Sequence, residues 1–108
     1  MRDVADTRFV KCNFGKIKPG KKPEAKRLLT EWFARLETKV NGLKGFLILD
    51  GLTDETELVV VTFWETREAM DVFYSPDNEL LIEHVRESES VREQIPERRD
   101  YAVTAFRL

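Results

Sequence analysis

The sequence predicts an α+β protein with the element order βαββαβ, the ferredoxin-like arrangement in which helices cover one face of a four-stranded antiparallel sheet. The first observation is the run at 58–64, whose β-branched and aromatic residues are apolar on both alternating sets of side chains, as in a strand covered on both faces. The second is that two helical periodicities, at 23–40 and 66–94, each lie between strand patterns. Together they predict a central strand with helices packed beside it.

The first half of the chain contains a strand, a helix and a second strand. Residues 7–18 alternate as a strand that Pro19-Gly20 ends. Apolar residues then recur at three- and four-residue steps over 23–40, the pattern of an amphipathic helix, until Asn41-Gly42. Residues 46–52 alternate again and are predicted to form the second strand.

The second half begins with the strand at 57–65, which a polar turn joins to the strand before it. A short helix is predicted over 66–74 and a longer one over about 77–94. The run 83–100 is rich in Glu, Arg and Ser and is expected to be a solvated helix surface. Residues 100–108 alternate as the last strand.

Composition limits the class of protein. The chain has 108 residues, 42% of them apolar, which predicts one ordered domain over residues 1–108. Eighteen basic against twenty acidic residues leave a net charge of −2, so the overall charge does not favour nucleic acid or an anionic membrane as a partner. The lone Cys12 cannot form an internal disulfide, and no long apolar span is present. These features predict a cytoplasmic protein that does not enter membranes.

The open face of the predicted sheet favours self-association. Helices of a ferredoxin-like fold cover one face only, yet both faces of the strands carry apolar side chains, which would otherwise remain in water. A second copy is the simplest cover, so we expect a homodimer packed through its sheet faces. The residues expected on that face are Val10, Cys12, Phe14, Val59, Val61 and Phe63.

Three sequence features resemble one known family. Pro19-Gly20 follows the first strand, Gly-Leu-Lys-Gly-Phe at 42–46 leads into the second, and Trp-Glu-Thr-Arg-Glu-Ala at 64–69 joins the third strand to a helix. In these features the chain is similar to the antibiotic biosynthesis monooxygenase (ABM) domain along nearly its whole length. The resemblance implies a dimeric α/β barrel. It leaves function open, since similar domains include anthrone and quinol oxygenases, heme-degrading monooxygenases and degraders of signal molecules.

The anthrone oxygenases of that family line a pocket with an Asn, a Trp and a Tyr. The resemblance puts their Trp at Trp64 of this chain. It puts their Asn at Val60 and their Tyr at Met70, so two of the three positions differ.

The heme-degrading members carry an Asn on the first strand seven residues before a turn glycine, as Asn13 stands before Gly20. Their next site residue, a Trp, corresponds to Phe73. Their heme-ligating His falls near His84, but it matches only if one residue is deleted before Tyr74. The resemblance therefore implies heme binding only as an alternative.

The residues themselves favour chemistry that needs little from the protein. The sequence has no glycine-rich phosphate loop, and one His with one Cys cannot build the usual zinc or iron site, so we expect no metal and no cofactor. His84 is the one base with an ordinary pKa near neutrality, about 6.5, and Asn13 is a polar amide on an apolar strand face. Either residue could instead have a purely structural role.

The predicted function is a cofactor-independent monooxygenase acting on a small aromatic or quinol-like molecule. Heme binding or degradation and a non-catalytic ligand-binding or structural dimer are the alternatives. The candidate catalytic residues are His84, Asn13 and Trp64, and the candidate substrate-binding residues are Phe73, Tyr74, Val60, Thr62 and Met70.

Overall fold

Four strands and three α-helices follow one another along residues 4–107, the part of the chain that the computed structural model describes. A short 3₁₀ turn at Val4–Asp6 precedes them. The strands are β1 (Phe9–Lys16), β2 (Leu43–Asp50), β3 (Glu57–Trp64) and β4 (Glu97–Ala102), and the helices are α1 (Lys22–Leu36), α2 (Arg67–Phe73) and α3 (Glu79–Glu87).

The strands form one sheet in the order β2-β3-β1-β4, with every neighbouring pair antiparallel. This confirms the predicted ferredoxin-like α+β fold. The register sets Asn13 of β1 directly opposite Val60 of β3 on one side and Arg98 of β4 on the other. Because directly opposed residues point to the same face of a sheet, these three side chains form a row beneath the helices.

The start of α2 is fixed by a cap and by a glycine. The Thr66 side chain accepts a hydrogen bond from the backbone N–H of Ala69 and so caps the N-terminus of the helix. Gly42 has a φ of 82°, a conformation that other residues rarely adopt. A Cβ atom at Gly42 would lie 2.5 Å from the Cβ of Ala69, so the glycine lets the turn before β2 approach α2 closely.

The chain after Tyr74 differs from the prediction. The helix α3 ends at Glu87 rather than near residue 94, because the segment that follows turns back to the end of β1. There the N–H of Lys18 donates to the carbonyl of Val91, and the N–H of Glu93 donates to the carbonyl of Lys16. The last strand, β4, is therefore centred earlier than the predicted 100–108, and it ends at Ala102 because its partner strand begins at Phe9.

The helices bury one face of the sheet. The main core cluster lies there and consists of Trp32, Phe33, Leu36, Leu43, Val60, Trp64, Met70, Phe73 and Leu81. Of the opposite face, Phe63 is buried, and the ring of Phe106 packs edge-on against it at a centroid distance of 5.8 Å. Leu47 and Leu49 on β2 are each 47% exposed. Much of this second face is therefore left open in the single chain.

Two features are absent from residues 4–107. None of the helices within 4–107 combines the length and the apolar character needed to cross a bilayer. The same residues contain no cluster of three or more His, Cys, Asp or Glu side chains placed to hold a metal ion.

Candidate functional site

A cavity of about 60 Å³ lies between the sheet and the helices. Its walls are mainly apolar, and polar groups meet at one side of it. Each of the major elements except β2 contributes to the wall, with Asn13 from β1, Val60 from β3, Trp32 from α1, Phe73 from α2, His84 from α3 and Arg98 from β4.

The Asn13 amide is the hub of the polar side. Its Nδ2 donates to the carbonyl of Val60 at 3.0 Å and to the hydroxyl of Tyr74 at 3.1 Å. Its Oδ1 accepts a hydrogen bond from Nε of Arg98 at 2.9 Å. Because an amide has only two N–H donors, both are already used within the protein. A ligand could still approach the second lone pair of Oδ1.

Thr62 continues this network into the core. Its Oγ1 accepts from the indole Nε1 of Trp64 at 2.8 Å and lies 3.0 Å from the Tyr74 hydroxyl. Its own proton can point to the carbonyl of Lys11, 3.5 Å away. When Asn13 donates to Tyr74 and Tyr74 donates to Thr62, every polar hydrogen of this side-chain network has an acceptor. The network therefore fixes the wall of the cavity.

Tyr74 is a neutral phenol in this environment. Burial raises the pKa of its hydroxyl, and the hydrogen bonds with Thr62 and Asn13 only partly oppose that effect. The Lys11 ammonium lies 4.3 Å from the ring centroid and the Arg98 guanidinium 5.3 Å from it. The Tyr74 ring thus makes favourable cation–π contacts with both cations.

His84 lies against the aromatic wall rather than in the polar network. Its imidazole stacks on the indole of Trp32, with a centroid distance of 3.9 Å and an interplanar angle of 18°. Burial, as the largest cause, and the positive charges of Arg98 and Arg92 together lower the pKa of His84 from 6.5 to about 4. The ordinary pKa assumed from the sequence is therefore wrong. At neutral pH the ring is uncharged, and within residues 4–107 neither of its nitrogens has a hydrogen-bond partner.

The positive charge near His84 comes from two arginines that differ in their hydrogen bonds. The guanidinium of Arg92 is hydrogen-bonded at the end of α3, to the carbonyl of Val85 at 2.9 Å and to Oγ of Ser88 at 3.3 Å. Among the described residues, Arg98 is hydrogen-bonded only through its Nε, to Asn13. Burial lowers the pKa of Arg98, yet an arginine remains charged at any physiological pH.

The structure brings together five of the eight candidate residues. Those that line the cavity are Asn13, Val60, Phe73, Tyr74 and His84. The other three, Thr62, Trp64 and Met70, lie in the core and are not part of the cavity wall, and none of them is more than 1% exposed. Thr62 and Trp64 reach the cavity only through their hydrogen bonds to each other and to Tyr74.

The sequence analysis missed three residues of the site. Trp32 was predicted as one of many apolar residues of the first helix, and nothing in the periodicity marks it as the ring beneath His84. Arg92 and Arg98 both lie in the run 83–100 that was predicted to be solvated helix. The helix break at Ile95-Pro96 is the signal from which Arg98 could have been predicted. If the last strand starts directly after this break, Arg98 pairs with Asn13 and both side chains lie on one face of the sheet.

Solved structures share this fold along most of the chain. A candidate antibiotic biosynthesis monooxygenase from Caulobacter crescentus CB15 superposes with a TM-score of 0.76 at 12% identity, covering 92% of this chain and 92% of that one. One from Bordetella bronchiseptica has a TM-score of 0.76 at 12% identity, covering 92% and 99%. A protein of unknown function from Nitrosomonas europaea has a TM-score of 0.75 at 12% identity, covering 94% of each chain. At such low identity these similarities concern the fold.

A search of curated proteins found no match to the sequence. The sequence model of the family described as "Antibiotic biosynthesis monooxygenase" (ABM) matches residues 9–75, which run from the start of β1 to just beyond the end of α2. That stretch contains four of the five candidate residues that line the cavity, and only His84 lies beyond it. Family membership favours a monooxygenase-like function. The chain belongs to the antibiotic biosynthesis monooxygenase family.

Proposed function

We propose that this protein is a cofactor-independent monooxygenase that oxidises a small aromatic or quinol-like molecule in the cavity beneath α3. The observation that carries the proposal is that His84 lines the same mainly apolar cavity as the guanidinium of Arg98, and that His84 is uncharged at neutral pH and has no hydrogen-bond partner among residues 4–107. A base beside a fixed positive charge is what is needed to form and hold a substrate anion. Aromatic walls exclude water from that anion.

The reaction balances without an added reductant. For an anthrone-like substrate, a ring CH₂ group loses a proton to the base, and the electron pair of the resulting carbanion is transferred to molecular oxygen as a C–O bond forms. The peroxide then loses its outer oxygen with the remaining hydrogen atom and one proton as water, which leaves a carbonyl group. In total CH₂ and O₂ become C=O and H₂O. The protein must supply a proton acceptor, a place for the negative charge and protection from solvent.

His84 is the proposed proton acceptor. The neutral ring found at pH 7 is the form that can take a proton, although a pKa of about 4 makes it a weak base in the empty cavity. The anion formed by proton transfer would lie beside the new imidazolium and raise its pKa, because opposite charges favour the charged form. Asn13 is proposed to orient Arg98 and Tyr74 rather than to donate to the substrate, since both of its N–H groups are used within the protein.

Substrate entry is proposed to require a displacement of α3. The cavity of about 60 Å³ is smaller than the roughly 300–1,000 Å³ of typical ligand pockets. Leu81 is the one residue of α3 that is fully buried, and both Leu80 and Ile82 are 41% exposed. Little apolar surface therefore holds this helix down, and a modest outward movement would enlarge the chamber on the His84 side.

Heme binding is not supported by the same geometry. A heme ligand would have to present a ring nitrogen to an open cleft, whereas the His84 ring is stacked flat on Trp32 beside a small cavity. The non-catalytic alternative, a ligand-binding dimer, needs only the cavity and the sheet face. Measurement of oxygen uptake distinguishes this alternative from the proposed monooxygenase.

The proposed assembly is a homodimer through the open face of the sheet. Apolar side chains there include Val10, Cys12, Val59 and Val61, all of them only partly buried in the single chain. Sheets that pack face to face bury such residues about 10 Å apart. A dimer would close that face and leave the cavity, which lies on the helix side, separate in each subunit.

Oxygen uptake with dithranol or a reduced naphthoquinone, corrected for autoxidation, tests the proposed function. His84→Ala should lower turnover by about 10²- to 10⁴-fold, the usual contribution of a general base. The matched control is Glu83→Ala, an exposed residue on the same helix, which should leave turnover unchanged. Metal chelators should have no effect. Uptake no faster than the uncatalysed background across a panel of such compounds would leave the non-catalytic dimer as the better account.

A further inference from the structure

Arg98 carries a charge that no acidic side chain among the described residues neutralises. Two other cationic side chains of β1 and β4 do have acidic partners, Lys11 with Asp100 at 3.1 Å and Arg99 with Glu97 at 2.8 Å. Arg98 lies between Glu97 and Asp100 along β4. It is only partly exposed and forms no ion pair within residues 4–107. A partly buried charge without a counter-charge is costly, because burial removes water that no anion replaces.

The guanidinium of Arg98 lies at the cavity wall and is anchored at one nitrogen. Its Nε donates to Oδ1 of Asn13 at 2.9 Å, and its Cζ lies 5.3 Å from the centroid of the Tyr74 ring. Its two terminal nitrogens have no hydrogen-bond partner among the described residues. The described residues that line the cavity include Arg92 and His84 but no Asp or Glu, so no carboxylate of the wall competes for the charge. The guanidinium therefore has unused donors at the wall of the cavity.

A guanidinium held by its Nε presents its terminal N–H groups as a fork that matches the two oxygens of a carboxylate. The cavity wall also contains the rings of Trp32 and Phe73, which suit a flat apolar body. We propose that the cavity selects aromatic carboxylates and that Arg98 is the specificity-determining residue that binds the carboxylate group. This inference deepens the proposed function and rests on it only in taking the same cavity as the ligand site.

Paired ligands of equal shape and different charge test the inference. Benzoate with benzamide, and 1-naphthoate with 1-naphthamide, are titrated into the protein while the NMR signals of Trp32 and Phe73 are followed. Each carboxylate should bind about 10- to 100-fold more tightly than its amide, as expected for a hydrogen-bonded charge pair. Equal affinities within both pairs, or no binding of any of the four, would overturn the proposal.

Variants at Arg98 and Arg99 test whether Arg98 causes the preference for the carboxylate. Arg98→Gln should abolish the preference for the carboxylate, and Arg98→Lys, which keeps the charge but loses the fork, should retain only part of it. Arg99 lies on the same strand but on the other face of the sheet. Arg99→Gln should therefore leave the preference unchanged. A preference that survives in a folded Arg98→Gln protein would refute the assignment. Should that variant fail to fold, an undiminished preference in Arg98→Lys would refute it instead.

The two proposals can fail separately. The titrations measure binding alone, so a clear carboxylate preference without any oxygen uptake would refute the oxygenase proposal and support this inference. Oxygen uptake with dithranol that depends on His84, combined with equal binding of acids and amides, would refute this inference and leave the oxygenase proposal standing.

Discussion

The imidazole of His84 lies parallel to the indole of Trp32, with their ring centroids 3.9 Å apart. The contact joins α3 to α1 beside the cavity and covers one face of the imidazole, which is partly buried. Burial is the main reason that the pKa of His84 falls to about 4, and the nearby charges of Arg98 and Arg92 add to it. The contact therefore sets both the wall of the site and the charge state of its base.

The first prediction is a dependence of stability on pH that comes from His84. In the unfolded chain the His84 pKa is near 6.5, and in the folded protein it is about 4, so the unfolded state binds more protons between these values. The contribution is fully present above about pH 6.5 and is lost as the pH falls toward 4. It amounts to roughly 3 kcal/mol in the free energy of unfolding.

Urea unfolding between pH 7.5 and 4, on the parent protein and on His84→Phe, measures this contribution. The phenylalanine keeps the stacking on Trp32 and cannot titrate, so the difference between the two proteins separates His84 from the carboxylates that also titrate. The stability of the parent should fall more steeply than that of the variant. Parallel pH profiles would show that His84 keeps an ordinary pKa in the folded state.

The second prediction concerns the hydroxyl of Tyr74. Tyr74→Phe removes one acceptor of Asn13 Nδ2 and one partner of Thr62 Oγ1, and it leaves one buried N–H of Asn13 without an acceptor. The free energy of unfolding should fall by about 1–3 kcal/mol. Tyr101→Phe, at a position that is 45% exposed, is the control and should change it by less than about 0.5 kcal/mol. Equal effects in the two variants would mean that the network does not stabilise the fold.

The third prediction compares two glycines with the same backbone conformation. Gly42 and Gly20 have φ values of 82° and 77°, so alanine is strained at either position. Only at Gly42 would the added methyl group meet another atom, the Cβ of Ala69. Thermal unfolding should show Gly42→Ala to be destabilised by roughly 1–3 kcal/mol more than Gly20→Ala. Similar losses would show that α2 can move away from the turn at little cost.

The sequence predicted the fold better than the site, and particular residues show why. The strand at β3 and the Thr66 cap are local patterns, and local patterns survive folding when tertiary packing agrees with them. The pairing of Asn13 with Arg98 joins residues 85 positions apart, and it depends on where β4 begins. Because the run 83–100 was predicted to be a solvated helix surface, with the last strand starting only at 100, Arg98 was assigned to water. An error of a few residues at one boundary thus concealed the charged residue of the site.

The residue Trp64 illustrates a second limit. Its position at the end of β3 matches the Trp of related oxygenases, but its ring is fully buried and its Nε1 donates to Thr62. A sequence motif can mark a position that supports a site without facing it. Whether such a residue reaches the cavity depends on the size of its neighbours, here Phe73 and Tyr74, whose rings stand beside it.

The fourth prediction tests the proposed dimer. Val61 lies in the middle of the open sheet face, opposite Cys12. Val61→Arg would bury an unpaired charge in the dimer, cost several kcal/mol and give a monomer or an aggregate. The control is Glu83→Arg, on an exposed surface of α3. Light scattering coupled to gel filtration decides the matter, and a well-folded monomer for the parent protein would contradict the proposed assembly.

The last prediction is that hemin does not bind stoichiometrically. A heme protein needs a ligand that reaches the iron and a cleft that accepts the macrocycle, whereas the His84 ring is held flat on Trp32 and Phe73 fills the space beside it. Hemin titration at neutral pH should therefore give no sharp Soret shift. His84→Ala should look the same as the parent, since any weak apolar adsorption would not involve the imidazole. A shift that saturates at one hemin per chain and disappears in His84→Ala would show instead that α3 opens far enough for His84 to turn from Trp32 to a metal.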